Sequence, residues 1–150
     1  MGIASRIREL RANIGKSDVE MAQLLGMNIH SYGDLEQYDD ELVSTLTLDQ
    51  ALRLASILGV ALRDLFRVEA EPEVSVSLEQ LPQLIESWIK REGISVEEAE
   101  DRIGWSLGEL LKAPRDEGLR RPLMFYHDLA ASVGVDWVSL VPSNAPGTAK

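Results

Sequence analysis

The chain has 150 residues, no cysteine, 15 Lys+Arg against 25 Asp+Glu, and a formal net charge of −10. That length fits one ordinary domain or two very small ones, and without cysteine there is no disulfide framework, thiolate nucleophile or thiolate metal site. The longest hydrophobic tract, residues 46–66, is broken by Asp49, Arg53, Arg63 and Asp64, so no membrane span is expected, while 45% hydrophobic residues suffice for a folded core. The opening M-G-I-A-S-R has neither the basic and apolar regions of a signal peptide nor, with Arg6, an acylation signal. A cytoplasmic location is the expectation.

In chain order the pattern is helical almost throughout. Ile3, Ile7, Leu10 and Ile14 recur at helical spacing. Ser17 opens S-D-V-E, a capping box in which Glu20 reaches back, so a helix starts there and stops at Gly26. Asn28 caps a third helix through about Gln37, with Tyr32 and Leu35 facing inward. Thr47 opens the box T-L-D-Q for a helix carrying Leu48, Leu52, Ala55 and Leu58, and Gly59 suits the left-handed position that ends it. A last short turn covers residues 61–66. Residues 1–67 thus read as one unit of five short helices.

Residues 68–78 interrupt this pattern with Pro72 and three glutamates and read as a linker. Val74, Val76 and Leu78 alternate with serines, which is a strand signal, but no second strand-like segment exists to pair with them.

Residues 79–142 repeat the first unit. A shift of 78 carries Ile7 onto Ile85, Leu10 onto Trp88, Ser17 onto Ser95, Glu20 onto Glu98, Leu25 onto Ile103 and Gly26 onto Gly104. After a three-residue shortening, a shift of 75 carries Leu54, Ala55, Gly59, Val60 and Leu65 onto Leu129, Ala130, Gly134, Val135 and Leu140. Ser95 opens a second S-x-x-E box, and Ser106 a third with Glu109. Chance alignment of two amphipathic stretches would not match caps and glycines as well. Residues 143–150 read as a polar, frayed tail.

Ile7 and Leu10, then Ser17, Glu20, Met21, Ala22, Leu25 and Gly26, then Tyr32, Leu35 and Glu36, and finally the run L-D-Q-A-L-R-L-A-S-I-L-G-V-A-L-R-D-L-F ending at Phe66, resemble the Cro/repressor-type helix-turn-helix (XRE) family. The second half resembles a degenerate copy. The resemblance implies an all-α fold of two tandem five-helix XRE-like (lambda-repressor-like) helix-turn-helix units. It also implies that Asp18–Leu25 and residues 28–37 form the DNA-reading pair, the second being the recognition helix.

A recognition helix needs side chains that donate to bases and phosphates. This one offers Asn28, Ile29, His30, Ser31, Asp34 and Gln37. The family often has basic residues where Ile29, Asp34 and Gln37 stand, and a phosphate-contacting Gln where Asp18 stands. Between Lys16 and Arg53 there is no Lys or Arg, but there are eight acids: Asp18, Glu20, Asp34, Glu36, Asp39, Asp40, Glu41 and Asp49. Such a face repels phosphate, and low salt deepens the repulsion. The plainer reading is a solvated surface on which Asp18 and Glu20 favour a helix N-terminus. Bases cluster in two places. One is the loop of residues 112–121, with Lys112, Arg115, Arg120 and Arg121 against Asp116 and Glu117; the other is Arg6, Arg8 and Arg11.

No enzyme chemistry is expected. The histidines are His30 and His127, and no H-x-x-x-H, phosphate-binding or dinucleotide-binding motif is present. Glu97, Glu98, Glu100 and Asp101 point around a helix rather than converging on a metal. His127 and Asp128 with Ser132 lack a nucleophile context. No cofactor is expected. Trp88, Trp105 and Trp137 read as core residues, with Trp105 beside Gly104 also a candidate partner contact.

The leading expectation is a regulatory protein acting on a protein partner, antitoxin-like or repressor-modulating, through Asp34, Asp39, Asp40, Glu41 and Trp105. The alternative is a sequence-specific DNA-binding repressor working as a dimer, through Asn28, His30, Ser31 and Gln37 with Lys112, Arg115, Arg120 and Arg121. Units of this size bury limited surface. They are expected to pack on each other or to form a homodimer through Leu119, Leu123 and Phe125.

Overall fold

The computed structural model describes residues 2–66 and 76–141. Among these the fold is all-α. The first half runs α1 (Ile3–Asn13), α2 (Asp18–Leu25), α3 (Ile29–Leu35), α4 (Glu41–Thr45), α5 (Leu48–Leu58) and α6 (Leu62–Leu65). The second runs α7 (Leu81–Glu92), α8 (Val96–Ile103), α9 (Gly108–Lys112), α10 (Pro114–Arg120) and α11 (Leu123–Val133), with 3-10 turns at Leu78–Gln80 and Trp137–Leu140.

Local chemistry sets most boundaries. Ser17, Thr47 and Ser95 each accept a hydrogen bond from the backbone three residues on, and Glu20, Gln50 and Glu98 reach back to complete the box. Asn28 caps α3 through Ser31 N. Gly26, Gly59, Gly104 and Gly134 end their helices with φ of 68°, 77°, 85° and 83°, a conformation that a Cβ disfavours. The box expected at Ser106 does not form. Leu107 N instead donates to Glu100 Oε2 at 2.7 Å, and Leu107 itself precedes α9.

The shift of 78 carries α2 onto α8 residue for residue, and α1 onto all but the last residue of α7. The shift of 75 carries α5 onto α11, and α6 onto the turn Trp137–Leu140, again residue for residue. Two helices depart from expectation. Residues 112–121, expected as a loop, hold α10, and residues 38–46, between the expected third helix and the Thr47 box, hold α4, so the first half carries six helices rather than five and the second five helices with two 3-10 turns. In α4 the Ser44 and Thr45 hydroxyls donate to the carbonyls four residues back, at 2.6 and 2.7 Å, while Leu42 and Leu46 are fully buried. Part of the expected linker also belongs to the fold. Leu78 is buried, and Val76 N donates to Ser139 O at 2.9 Å. The rest of that linker and the polar tail lie outside the described residues.

The halves meet about a local twofold relation. Thr47 and Pro122, equivalent under the shift of 75 and the N-caps of α5 and α11, form an isolated antiparallel bridge. Leu48 N donates to Arg121 O at 2.8 Å, and Leu123 N donates to Leu46 O at 3.0 Å. Each bond is the symmetry mate of the other. Pro122 lacks an N–H, but its position in this bridge requires none. Around the bridge α4 packs on α11, and α5 on α10. Leu46, Leu48, Leu123 and Phe125 are buried there in one continuous core. The halves therefore pack on each other, through Leu123 and Phe125 as expected, with Leu119 half-buried at the edge.

Candidate functional site

α2 and α3 project from the core on Met21, Ala22, Leu25, Tyr32 and Leu35, all buried. Their outer sides carry His30, Ser31 and Gln37, exposed, and Asp34, half-buried. Asn28 is exposed as well, but its side chain is committed to the α3 cap, at 2.8 Å from Ser31 N.

The acidic run after α3 divides into two roles. Asp39 Oδ1 accepts from Ala4 N at 3.0 Å, so Asp39 caps α1, whose own N-cap residue, Gly2, has no side chain to do so. Asp40 is exposed and Glu41 half-buried at the start of α4, and Asp34 precedes them. The expected interaction face is thus Asp34, Asp40 and Glu41, with Asp39 turned to structure.

Behind this face Arg11 donates to both oxygens of Glu36, at 2.6 and 3.0 Å, and to Lys16 O at 2.9 Å. The Glu36 hydrogen bond holds the Arg11 guanidinium more firmly protonated than usual. The Tyr32 hydroxyl is buried beside this pair without a hydrogen-bond partner among the described residues. Burial first, and then the Glu36 carboxylate, push its pKa far above the usual tyrosine range.

The arginines do not converge on α3. Arg6 Nε donates to Asp64 O at 2.9 Å. Arg115 makes a forked pair with Glu79, with Nη2 to Oε1 at 3.1 Å; the pairing lowers the Glu79 pKa and raises that of Arg115. Arg121 is buried: Nη1 donates to Ser106 O at 2.6 Å, Nε donates to Glu117 at 3.2 Å, and the guanidinium lies 4.7 Å from the Phe125 ring centroid. Of the expected phosphate contacts, Arg121 is therefore a structural residue. Its role depends on Ser106, Glu117 and Phe125, which converge only in three dimensions. Lys112 and Arg120 remain exposed. Arg120 borders a cleft of about 490 Å³ between α5 and α10, with Arg53, Asp49 and Asp116. Two carboxylates balance two guanidiniums there, and Arg53 is already paired with Asp49 at 3.0 Å.

Trp105 is half-buried. Its Nε1 donates to Asp128 Oδ2 at 2.9 Å, and its ring meets Phe125 edge-on, with centroids 5.7 Å apart. It braces α8 against α11 rather than standing free. Among the described residues no His, Asp or Glu cluster is arranged to hold a metal, and no helix is long and apolar enough to cross a membrane.

Periodicity alone misses a group of apolar residues left in solvent. Ile14, Val19, Leu24, Ile29 and Tyr38 are exposed and fall within residues 14–38, with Val135 the sole other large apolar residue so exposed among those described. Comparison of the two halves is the signal that singles them out. Comparison of the chain with protein-family models, with curated proteins and with solved structures finds no match.

Proposed function

We propose that this chain is a regulatory protein built from two helix-turn-helix units of the XRE type, and that it acts by binding a protein partner, in the manner of an antitoxin or a repressor modulator. One observation carries the reading: residues 17–52, which include α2, α3 and α4, hold eight acids and no Lys or Arg. Of the two basic clusters, Arg6, Arg11, Arg115 and Arg121 are held by backbone carbonyls, Glu36, Glu79 and Glu117, which leaves Arg8, Lys112 and Arg120 exposed. Duplex binding draws a large share of its affinity from cationic contacts to phosphate, and the exposed donors of this face, His30, Ser31 and Gln37, include no Lys or Arg. Asp34, Asp40 and Glu41 are then the contact residues for a cationic partner surface.

The repressor reading keeps Lys112 and Arg120, both exposed, and a paired arrangement of units of the kind that reads two half-sites. A gel shift with the duplex upstream of the protein's own reading frame separates the two. Specific retention at moderate salt would overturn the protein-binding reading. Without retention, the triple variant Asp34→Lys, Asp40→Lys, Glu41→Lys should weaken partner capture at least tenfold.

A further inference from the structure

The cleft between α5 and α10 carries two charges of opposite sign that stay open. Three acid–arginine pairs stand in it or beside it, each four residues apart on one helix, the spacing at which opposite charges meet. Asp49 and Arg53 close at 3.0 Å, and Glu117 and Arg121 close at 3.2 Å. Asp116 and Arg120 do not close. Among the described residues neither makes a hydrogen bond or an ion pair, and Asp116 acts only through its field on Arg115. Both line the cleft, together with Leu119 from the same helix and the Thr47 and Gln50 cap from the first half. The twofold mate of this site, between α11 and α4, lacks the feature. The shift of 75 pairs Asp116 with Glu41, Arg120 with Thr45, and Arg53 with Asp128. That set has acids and no arginine, so the repeated fold does not itself require the charges of the cleft.

We infer that this cleft binds a free α-amino acid with an aliphatic side chain. Its two guanidiniums and two carboxylates balance. An anion alone meets Asp49 and Asp116, a cation alone meets Arg53 and Arg120, and a zwitterion satisfies both signs. The open guanidinium of Arg120 offers a planar fork that matches a carboxylate. Asp116 accepts from the ammonium. A quaternary ammonium would call for an aromatic face, and no Phe, Tyr or Trp lines the cleft. Leu119, half-buried, is its apolar wall and takes the aliphatic side chain. A volume of about 490 Å³ lies within the range of small-ligand sites. The lining comes from both halves, α5 with its cap and α10, next to the Thr47–Pro122 bridge. A bound amino acid therefore ties one half to the other and stabilises the folded chain by mass action. The assignment needs neither the protein-binding reading nor the repressor reading.

The test titrates the full-length protein with L-leucine, glycine, isocaproate and isoamylamine; the last two are leucine without its ammonium and without its carboxylate. The titration is run at about 0.15 M salt, where charges beyond about 8 Å are screened. Leucine should bind with a Kd of about 1 mM or below, shift amide resonances at residues 47–53 and 116–120, and raise the unfolding midpoint. Each of the other three compounds should bind at least tenfold more weakly. Arg120→Gln and Asp116→Asn change exposed side chains. Each should weaken leucine binding at least tenfold, the first through the carboxylate and the second through the ammonium. No saturable shift up to about 10 mM leucine, isocaproate or isoamylamine bound as tightly as leucine, or undiminished binding to both variants would overturn the inference. Glycine bound as tightly as leucine would overturn the part assigned to Leu119.

Discussion

A helix N-terminus leaves backbone N–H groups without partners inside the helix, and α1 begins at a residue with no side chain to satisfy them. Asp39, thirty-five positions away in sequence, supplies the acceptor at Ala4 N. Asp39→Ala should lower stability by about 1 kcal/mol in urea unfolding, and Asp39→Asn by much less, because the amide oxygen can still accept. Reversing Asp40 or Glu41 should leave stability nearly unchanged. Equal losses at all three positions would show that the run acts only through bulk charge.

The buried tyrosine gives a second test at this scale. Glu36 lies close enough to act on the Tyr32 hydroxyl, yet no hydrogen-bond geometry forms between them. A buried hydroxyl without a partner costs stability, so Tyr32→Phe should be neutral or stabilising by up to about 1 kcal/mol. Glu36→Ala strands the largely buried Arg11 and should cost about 2–3 kcal/mol, below the range for a fully buried pair because solvent still reaches the guanidinium. Acid dependence has two sources elsewhere. Glu20 has its pKa lowered by the Ser17 backbone and hydroxyl, and Glu79 by Arg115. A lowered folded-state pKa means that each contribution is complete above the ordinary carboxylate range and fades as pH falls through the lowered value. Glu20→Gln with Glu79→Gln should therefore flatten the loss of stability below about pH 4.3. An unaltered acid limb in pH-dependent urea titrations would contradict this.

Among the elements, those with strong end signals were readable in advance. Ser17, Thr47 and Ser95 cap where the sequence places them, and Gly26, Gly59, Gly104 and Gly134 stop where φ turns positive. α4 and α10 were not readable as helices. Each is too short for a sustained period, and α4 is stabilised instead by hydroxyls bonding back to carbonyls and by Leu42 and Leu46 in the interface. The single sequence hint was the four-residue spacing of those two leucines. At the site, the stretch without Lys or Arg was readable from composition, because it depends on residue type alone. The commitment of Arg121 was not, because it lies in contacts with Ser106, Glu117 and Phe125. Arg121→Lys should therefore destabilise by about 2 kcal/mol or more, since an ammonium cannot match the fork and the ring contact together. If Arg121 served DNA, that change would instead leave the unfolding midpoint in place.

For the molecule as a whole, the twofold relation between the halves predicts its state of assembly. A true dimer of one unit would set Leu48 N against Leu46 O of its mate, twice over. Here the second unit supplies the mate covalently through Arg121 O and Leu123 N. The surface through which a unit of this kind would dimerise is then occupied within one chain, and an isologous interface, once filled, offers no further copy a place. The intact protein should sediment as a monomer of 16.6 kDa and unfold in a single transition, because Leu46, Leu48, Leu123 and Phe125 belong to a core shared by both halves. Residues 1–67 expressed alone would expose Leu46 and Leu48 yet keep the backbone groups at 46 and 48 that pair across the axis, and those groups depend on no side chain of the second half. The fragment should then either self-associate to a dimer or lose most of its stability, since a unit of about 65 residues is marginal by itself. A fragment that stays monomeric in sedimentation and melts where the intact chain melts would show that the shared core contributes little, and that the two units are joined in sequence without depending on each other.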